Sequence, residues 1–288
     1  MTTRRGTIAG LVAALLVAGC SNLDALRTLN DLTPGDGGAT KVVDGAAFGP
    51  DPMHTLDVWV PKNAKAARVL VFWYGGSWRF GNREDYGFVA KAFAARGFVV
   101  VLPDYRKSPP HPFPGFVQDG AAAVAWTRAN IAKYGGDPAR IGVSGHSAGA
   151  HIAAMVALDP QWLAKAGAPG TVKAFVGFAG PYDFYPFAPG GSAEKAFGRP
   201  ADPAATQPIT FARADAPPSL LLTGDADGVV QPRNSASLTA ALKAKGAAVE
   251  TRVYPGVGHV GLVLALSKPF RGKAPALNDA VTFLDRTL

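Results

Sequence analysis

The sequence predicts an α/β fold built on a single, mostly parallel sheet with helices on both faces. Three observations predict it. Runs dense in Val, Leu and Ile recur along the 288 residues, stretches of helical pattern alternate with them, and no internal repeat breaks the alternation. Strands buried on both faces read as continuous apolar runs, and strand–helix–strand alternation requires right-handed crossovers between parallel neighbours. With 48% apolar residues the chain can bury one large core. A single folded domain over residues 45–288 is therefore expected, with a short cap segment.

In chain order, an early strand follows His54. The next, at 66–73, carries Arg68-Val69-Leu70-Val71-Phe72-Trp73 and stops at Tyr74-Gly75-Gly76. A helix at 86–95 leads to a strand at 98–102, and a long helix at 116–133 leads to a strand at 140–143. An Ala-rich helix at 148–157 is followed by a strand at 172–178. The segment 180–218 then runs to a strand at 219–222, a helix at 235–245, a strand at 249–253 and a final helix at 274–288.

Gly145-His146-Ser147-Ala148-Gly149 lies between the strand at 140–143 and the Ala-rich helix. A Gly-x-Ser-x-Gly at a strand-to-helix turn exposes its serine at the end of a sheet, so Ser147 is the candidate nucleophile. The pentapeptide alone is weak, and its partners decide. A serine needs a base, oriented by an acid on its far nitrogen. Of the five histidines, His54, His111, His146 and His151 read as structural or supporting. His259 follows a late strand in a glycine-rich loop and can reach the same sheet rim, which makes it the candidate base. Between them, Gly224-Asp225-Ala226-Asp227 follows the strand at 219–222. Asp227 is preferred as the acid, and Asp225 is read as capping its own turn. The amides of Gly75, Gly76 and Ala148 are the candidate donors for an oxyanion.

Together these motifs resemble the α/β-hydrolase superfamily, in particular serine esterases of the hormone-sensitive-lipase-like and arylformamidase-like group. The resemblance spans roughly residues 45–288. It also rests on Leu56-Asp57-Val58-Trp59-Val60-Pro61, Pro103-Asp104-Tyr105-Arg106 and Tyr134-Gly135-Gly136-Asp137-Pro138. It implies a carboxylesterase acting on small to medium acyl esters through an acyl-enzyme, with no metal and no organic cofactor. Members usually carry His-Gly-Gly where this chain has Tyr74-Gly75-Gly76, so the packing around the pocket is where departures are expected. By the same resemblance Asp104, Tyr105 and Arg106 are scaffold, as are Asp119 and Asp183.

Residues 1–19 read as a signal peptide, with Arg4-Arg5 before an apolar stretch at 8–18 that is too short to span a bilayer. Val17-Ala18-Gly19-Cys20 resembles a bacterial lipoprotein cleavage site. Cys20, the only cysteine, is then the lipidated residue, and 20–44 a tether. The implied location is the bacterial cell envelope, lipid-anchored in the outer membrane and facing the periplasm. The formal charge of +8 falls to +6 once Arg4 and Arg5 are removed. Its cations are scattered without a nucleic-acid motif, so no nucleic-acid partner and no obligate protein partner is expected.

Trp78, Tyr182 and Phe184 are candidate pocket residues, with Phe80, Phe113 and Phe116 nearby in the pattern. These aromatics read equally well as a satellite core under a long loop. An arylformamidase or amidase and a non-catalytic binding lipoprotein on the same scaffold remain alternatives. A prolyl-type peptidase is weaker, because no accessory domain precedes the motifs.

Overall fold

The computed structural model describes residues 35–288. Its strands are β1 (Ala39–Ala47), β2 (Thr55–Pro61), β3 (Ala67–Trp73), β4 (Val99–Pro103), β5 (Gly136–His146), β6 (Val172–Phe178), β7 (Ser219–Gly224) and β8 (Val249–Tyr254). They form one sheet in the order β1-β2-β4-β3-β5-β6-β7-β8. The pairs β1/β2 and β2/β4 are antiparallel, and every pair from β4 through β3 to β8 is parallel. The carboxyl ends of β3, β5, β7 and β8 therefore share one rim, where the candidate residues sit. Ligands of open parallel sheets bind at such a rim.

The helices are α1 (Gly87–Ala94), α2 (Gly115–Asn130), α3 (Ala148–Leu158), α4 (Pro160–Lys165), α5 (Ser192–Phe197), α6 (Arg233–Ala244), α7 (His259–Leu264) and α8 (Ala276–Thr287). The central strands are apolar on both faces because helices cover both, and β4 and β7 are buried along their whole length. Each fully buried Val, Leu or Phe contributes about 1.5–3 kcal/mol. All of α3 is buried as well, so it is apolar all round rather than amphipathic. Its closeness to α2 depends on Gly120, where a Cβ would lie 2.7 Å from Ile152 Cγ2. A larger residue at 120 would push α3, the helix that follows Ser147, away from α2.

One boundary differs from the expectation. Residues 39–44 were expected in the tether, yet they belong to β1, whose register runs from Ala39 opposite Pro61 to Ala47 opposite Thr55. Asp36 is already tied to Arg271 by a two-pronged ion pair at 2.7 and 3.0 Å. The folded unit thus starts ahead of residue 45. The expected signal peptide, Cys20 and the tether up to residue 34 lie outside the described residues. Among the described residues, no helix is long and apolar enough to cross a membrane.

Candidate active site

Ser147 stands between β5 and α3 with φ 55° and ψ −122°, a conformation that costs a non-glycine residue roughly 1–3 kcal/mol. Two features hold it there. Its amide donates to the Phe178 carbonyl of β6 at 2.9 Å. The flanking glycines let the chain fold on itself, since a Cβ on Gly145 would lie 2.4 Å from the Gly149 backbone and one on Gly149 2.1 Å from the Trp73 carbonyl oxygen. The glycines are needed for this close approach, and the left-handed residue is the serine itself.

His259 opens α7, directly after the loop from β8. Its Nε2 lies 2.9 Å from Ser147 Oγ and its Nδ1 2.8 Å from Asp227 Oδ2. Asp227 is buried, and its other oxygen accepts the amides of Val229 at 2.9 Å and Val230 at 2.8 Å. These two amides aim the carboxylate and balance its charge, as suits a buried acid. Asp225 is exposed and accepts the Gly256 amide at 2.7 Å, which holds the β8–α7 loop. The geometry brings Ser147, His259 and Asp227 together, and it keeps Asp225 outside the group.

The candidate oxyanion donors need one correction. The Gly75 amide donates to the buried Tyr86 hydroxyl at 3.3 Å, so it is already engaged. The chain then takes positive φ at Gly76 (130°), Ser77 (56°) and Trp78 (59°), which is uncommon for the two non-glycine residues. The Gly76 and Ser77 amides meet no acceptor among the described residues. Ala148, as the first residue of α3, has no acceptor within its helix. The Gly76 and Ser77 amides of this loop and the Ala148 amide next to Ser147 are thus left as unengaged candidate donors. Ser77 follows the glycine pair directly, but nothing in the sequence signalled that Gly75 was occupied.

The departure from His-Gly-Gly is absorbed behind this loop. Tyr74 is fully buried, donates to Asp104 Oδ1 at 2.6 Å and stacks on Tyr105 at 4.8 Å between ring centroids. Asp104 also accepts Arg83 Nη1 at 2.7 Å, and Arg83 Nε reaches Asp57 at 2.7 Å. Lys107 Nζ donates to the Tyr74 hydroxyl and to the Tyr105 carbonyl, and burial pulls its pKa down to about 7. This paired network anchors the root of the loop in place of a histidine.

The candidate pocket residues separate. Tyr182 is fully buried against Phe175, so it belongs to the core and does not line a pocket. Trp78 and Phe184 stack at 5.8 Å and join Phe116 and Phe197 around His151, one turn beyond Ser147 on α3. For Trp78 and Phe116, both buried, the satellite-core reading holds, while Phe184 keeps partial exposure.

His151 has a measurable consequence for stability. It is fully buried, accepts the Trp78 indole N–H at Nδ1 (3.3 Å) and donates from Nε2 to the Thr206 carbonyl (2.9 Å). Burial lowers its pKa from 6.5 to about 4. Below 6.5 the unfolded residue takes up a proton that the folded one refuses, so the unfolded state binds more protons and stability falls with pH. The contribution is intact above 6.5 and is lost progressively down to about 4, amounting to ~3 kcal/mol. Urea midpoints between pH 7.5 and 4.5 should fall less steeply in His151→Gln than in the wild type. Equal slopes would refute this.

Comparison with known proteins bears on this geometry. The family described as BD-FAE matches residues 56–242. Esterase LipC of Mycobacterium tuberculosis is 36% identical over 233 residues, covering 74% of this chain and 58% of that protein. Isoprenylcysteine alpha-carbonyl methylesterase ICME of Arabidopsis thaliana is 29% identical over 256 residues, covering 81% of this chain and 60% of that protein. The chain thus spans about three fifths of the length of these curated relatives. Among solved structures, a truncated carbohydrate esterase from gut microbiota superimposes with a TM-score of 0.77 at 24% identity, covering 88% of this chain and 98% of that one. A hyperthermophilic esterase from Pyrobaculum calidifontis gives 0.77 at 22% identity, covering 98% and 96%.

Proposed function

The chain belongs to the BD-FAE family of α/β-hydrolases, and from that premise we propose that it is a serine hydrolase that cleaves carboxylic esters of small to medium acyl chains. The observation that carries this reading is the continuous line from Ser147 Oγ through His259 to Asp227, with hydrogen bonds of 2.9 and 2.8 Å. Ser147 Oγ attacks the ester carbonyl while His259 Nε2 takes its proton. Asp227 steadies the imidazolium through Nδ1, and the Gly76, Ser77 and Ala148 amides receive the negative oxygen. Collapse of the tetrahedral intermediate breaks the carbon–oxygen bond to the alcohol, which leaves with the proton from His259. Water, deprotonated by the same imidazole, then releases the acid and restores Ser147.

The preference for shorter acyl groups is carried over from the family resemblance; one turn beyond Ser147, Trp78, Phe116, Phe197 and His151 pack on one another as core, and Phe184 beside them keeps partial exposure. The test is a panel of aryl acetates, butyrates, laurates and formamides, with Ser147→Ala as control. Acetate and butyrate should be turned over fastest. Faster formamide turnover would move the assignment to a formamidase, and no turnover with no labelling by a fluorophosphonate would favour a binding protein.

The proposal extends to location: a lipid-anchored protein of the bacterial envelope, in the outer membrane and facing the periplasm. Support comes from Val17-Ala18-Gly19-Cys20, which closes the apolar stretch of the signal-like segment. Cys20→Ser is expected to move the protein from the membrane to the soluble fraction on cell fractionation, and unchanged membrane association would exclude the anchor.

A further inference from the structure

Between the oxyanion loop and the base lies a run of hydrogen bonds that the reaction itself does not use. The Gly75 amide donates to Tyr86 Oη at 3.3 Å, Tyr86 Oη lies 3.2 Å from His146 Nδ1, and His146 Nε2 lies 3.2 Å from the His259 carbonyl oxygen. Tyr86 and His146 are both buried. Neither forms a hydrogen bond with Ser147 Oγ or with Asp227.

The two ends fix every proton between them. A backbone amide can only donate, so Tyr86 Oη accepts from Gly75 and its own proton points to His146 Nδ1. A carbonyl can only accept, so His146 Nε2 carries the ring proton. His146 is therefore held as the neutral tautomer protonated on Nε2. Burial, and next the charge of His259 beside it, press its pKa well below the ordinary imidazole value, which agrees with that form.

The geometry also couples two catalytic parts that no covalent segment joins closely. His146 immediately precedes Ser147, and its ring lies 4.8 Å from the His259 ring between centroids. A Cβ on Gly75 would lie 3.0 Å from His146 Nδ1 and 3.2 Å from Ser147 Cβ, so the oxyanion strand end rests on the same imidazole. Displacement of His146 would shift the donors and the base relative to each other, and misplacement of reacting groups by about 1 Å can cost on the order of 10²-fold in rate.

We propose that Tyr86 and His146 are positioning residues, a relay that sets the spacing between the oxyanion loop and the backbone of His259. The inference rests on the ester-hydrolase reading. Its signature is in kcat, because the relay touches no substrate: ground-state binding is left alone while alignment in the transition state is lost.

The test pairs side chains of similar volume. His146→Met removes the hydrogen bonds, and His146→Gln restores a donor near the Nε2 position. In His146→Met and in Tyr86→Phe, kcat on an aryl acetate is expected to fall about tenfold with KM within about twofold, and His146→Gln to recover to within about threefold of the wild type. Nitrogen NMR of histidine-labelled protein should show a protonated Nε2 and a bare Nδ1 for His146 in the wild type, and in Tyr86→Phe the same tautomer with a displaced Nδ1 resonance, because the hydrogen bond that Nδ1 accepts from Tyr86 is gone while the one to the His259 carbonyl stays. Unchanged kcat in both His146→Met and Tyr86→Phe, with only a lower melting temperature, would overturn the relay, as would a wild-type His146 protonated on Nδ1. If His146→Met does not fold, Tyr86→Phe decides alone. Failure of the wild type to hydrolyse any ester would sink the esterase reading, and the displaced Nδ1 resonance in Tyr86→Phe would still report on the relay.

Discussion

Ser147→Ala is expected to lower kcat on an aryl acetate by a factor on the order of 10⁵–10⁶ and to abolish labelling by a fluorophosphonate, with KM nearly unchanged. The size follows from how the site is built. His259 and Asp227 act only through the Ser147 oxygen, so removing that oxygen idles the whole group. A factor of 10⁵ corresponds to about 7 kcal/mol of transition-state stabilisation. A residual rate above water would remain, because the Gly76, Ser77 and Ala148 amides can still polarise a bound carbonyl. Alanine should not harm the fold. Among the described residues the serine hydroxyl makes no hydrogen bond other than that with His259, and the elbow is held by the Ser147 amide and the flanking glycines. A loss smaller than about tenfold would mean that Ser147 is not the nucleophile.

The parallel part of the sheet and the residues at its rim were legible because their signals are local. Continuous apolar runs mark strands buried on both faces, and β6 was found with the bounds read from its sequence, Val172–Phe178. The Gly-x-Ser-x-Gly elbow and the two loops ending at Asp227 and His259 are short patterns next to such strands. What escaped depends on partners distant in sequence. β1 is an edge strand whose residues alternate between partly buried and exposed, and with Gly45 and Asp44 in it the segment reads like a tether until β2 pairs with it. α4, α5 and α7 are six residues each, too short for a helical period to stand out. The occupancy of the Gly75 amide could not be read either, because its acceptor, Tyr86, approaches through the fold from the 3₁₀ turn Arg83–Tyr86. Tyr182 resembled a pocket aromatic by its place after β6. Only the space left at Gly177, where a Cβ would lie 1.9 Å from the Tyr182 hydroxyl, shows why the ring turns into the core.

Asp227→Asn tests the orientation of the base more sharply than deletion would. The substitution keeps an oxygen for the Val229 and Val230 amides, which now bind Asp227 Oδ1 at 2.9 and 2.8 Å, so the loop retains its turn. It places an NH₂ group where Oδ2 faces His259 Nδ1 at 2.8 Å. Two donors cannot share that position, and the imidazole relieves the conflict by moving its proton to Nε2. That nitrogen then presents a hydrogen to Ser147 Oγ and can no longer take one. The expected loss in kcat is about 10⁴, or roughly 5.5 kcal/mol, with little change in KM and a melting temperature within a few degrees of the wild type. Asp225→Asn is the matched control. Its side-chain oxygen can still accept the Gly256 amide, now at 2.7 Å, and activity should stay within about threefold. The reverse pattern, with Asn tolerated at 227 and not at 225, would reassign the acid and with it the path by which the β8–α7 loop aligns His259.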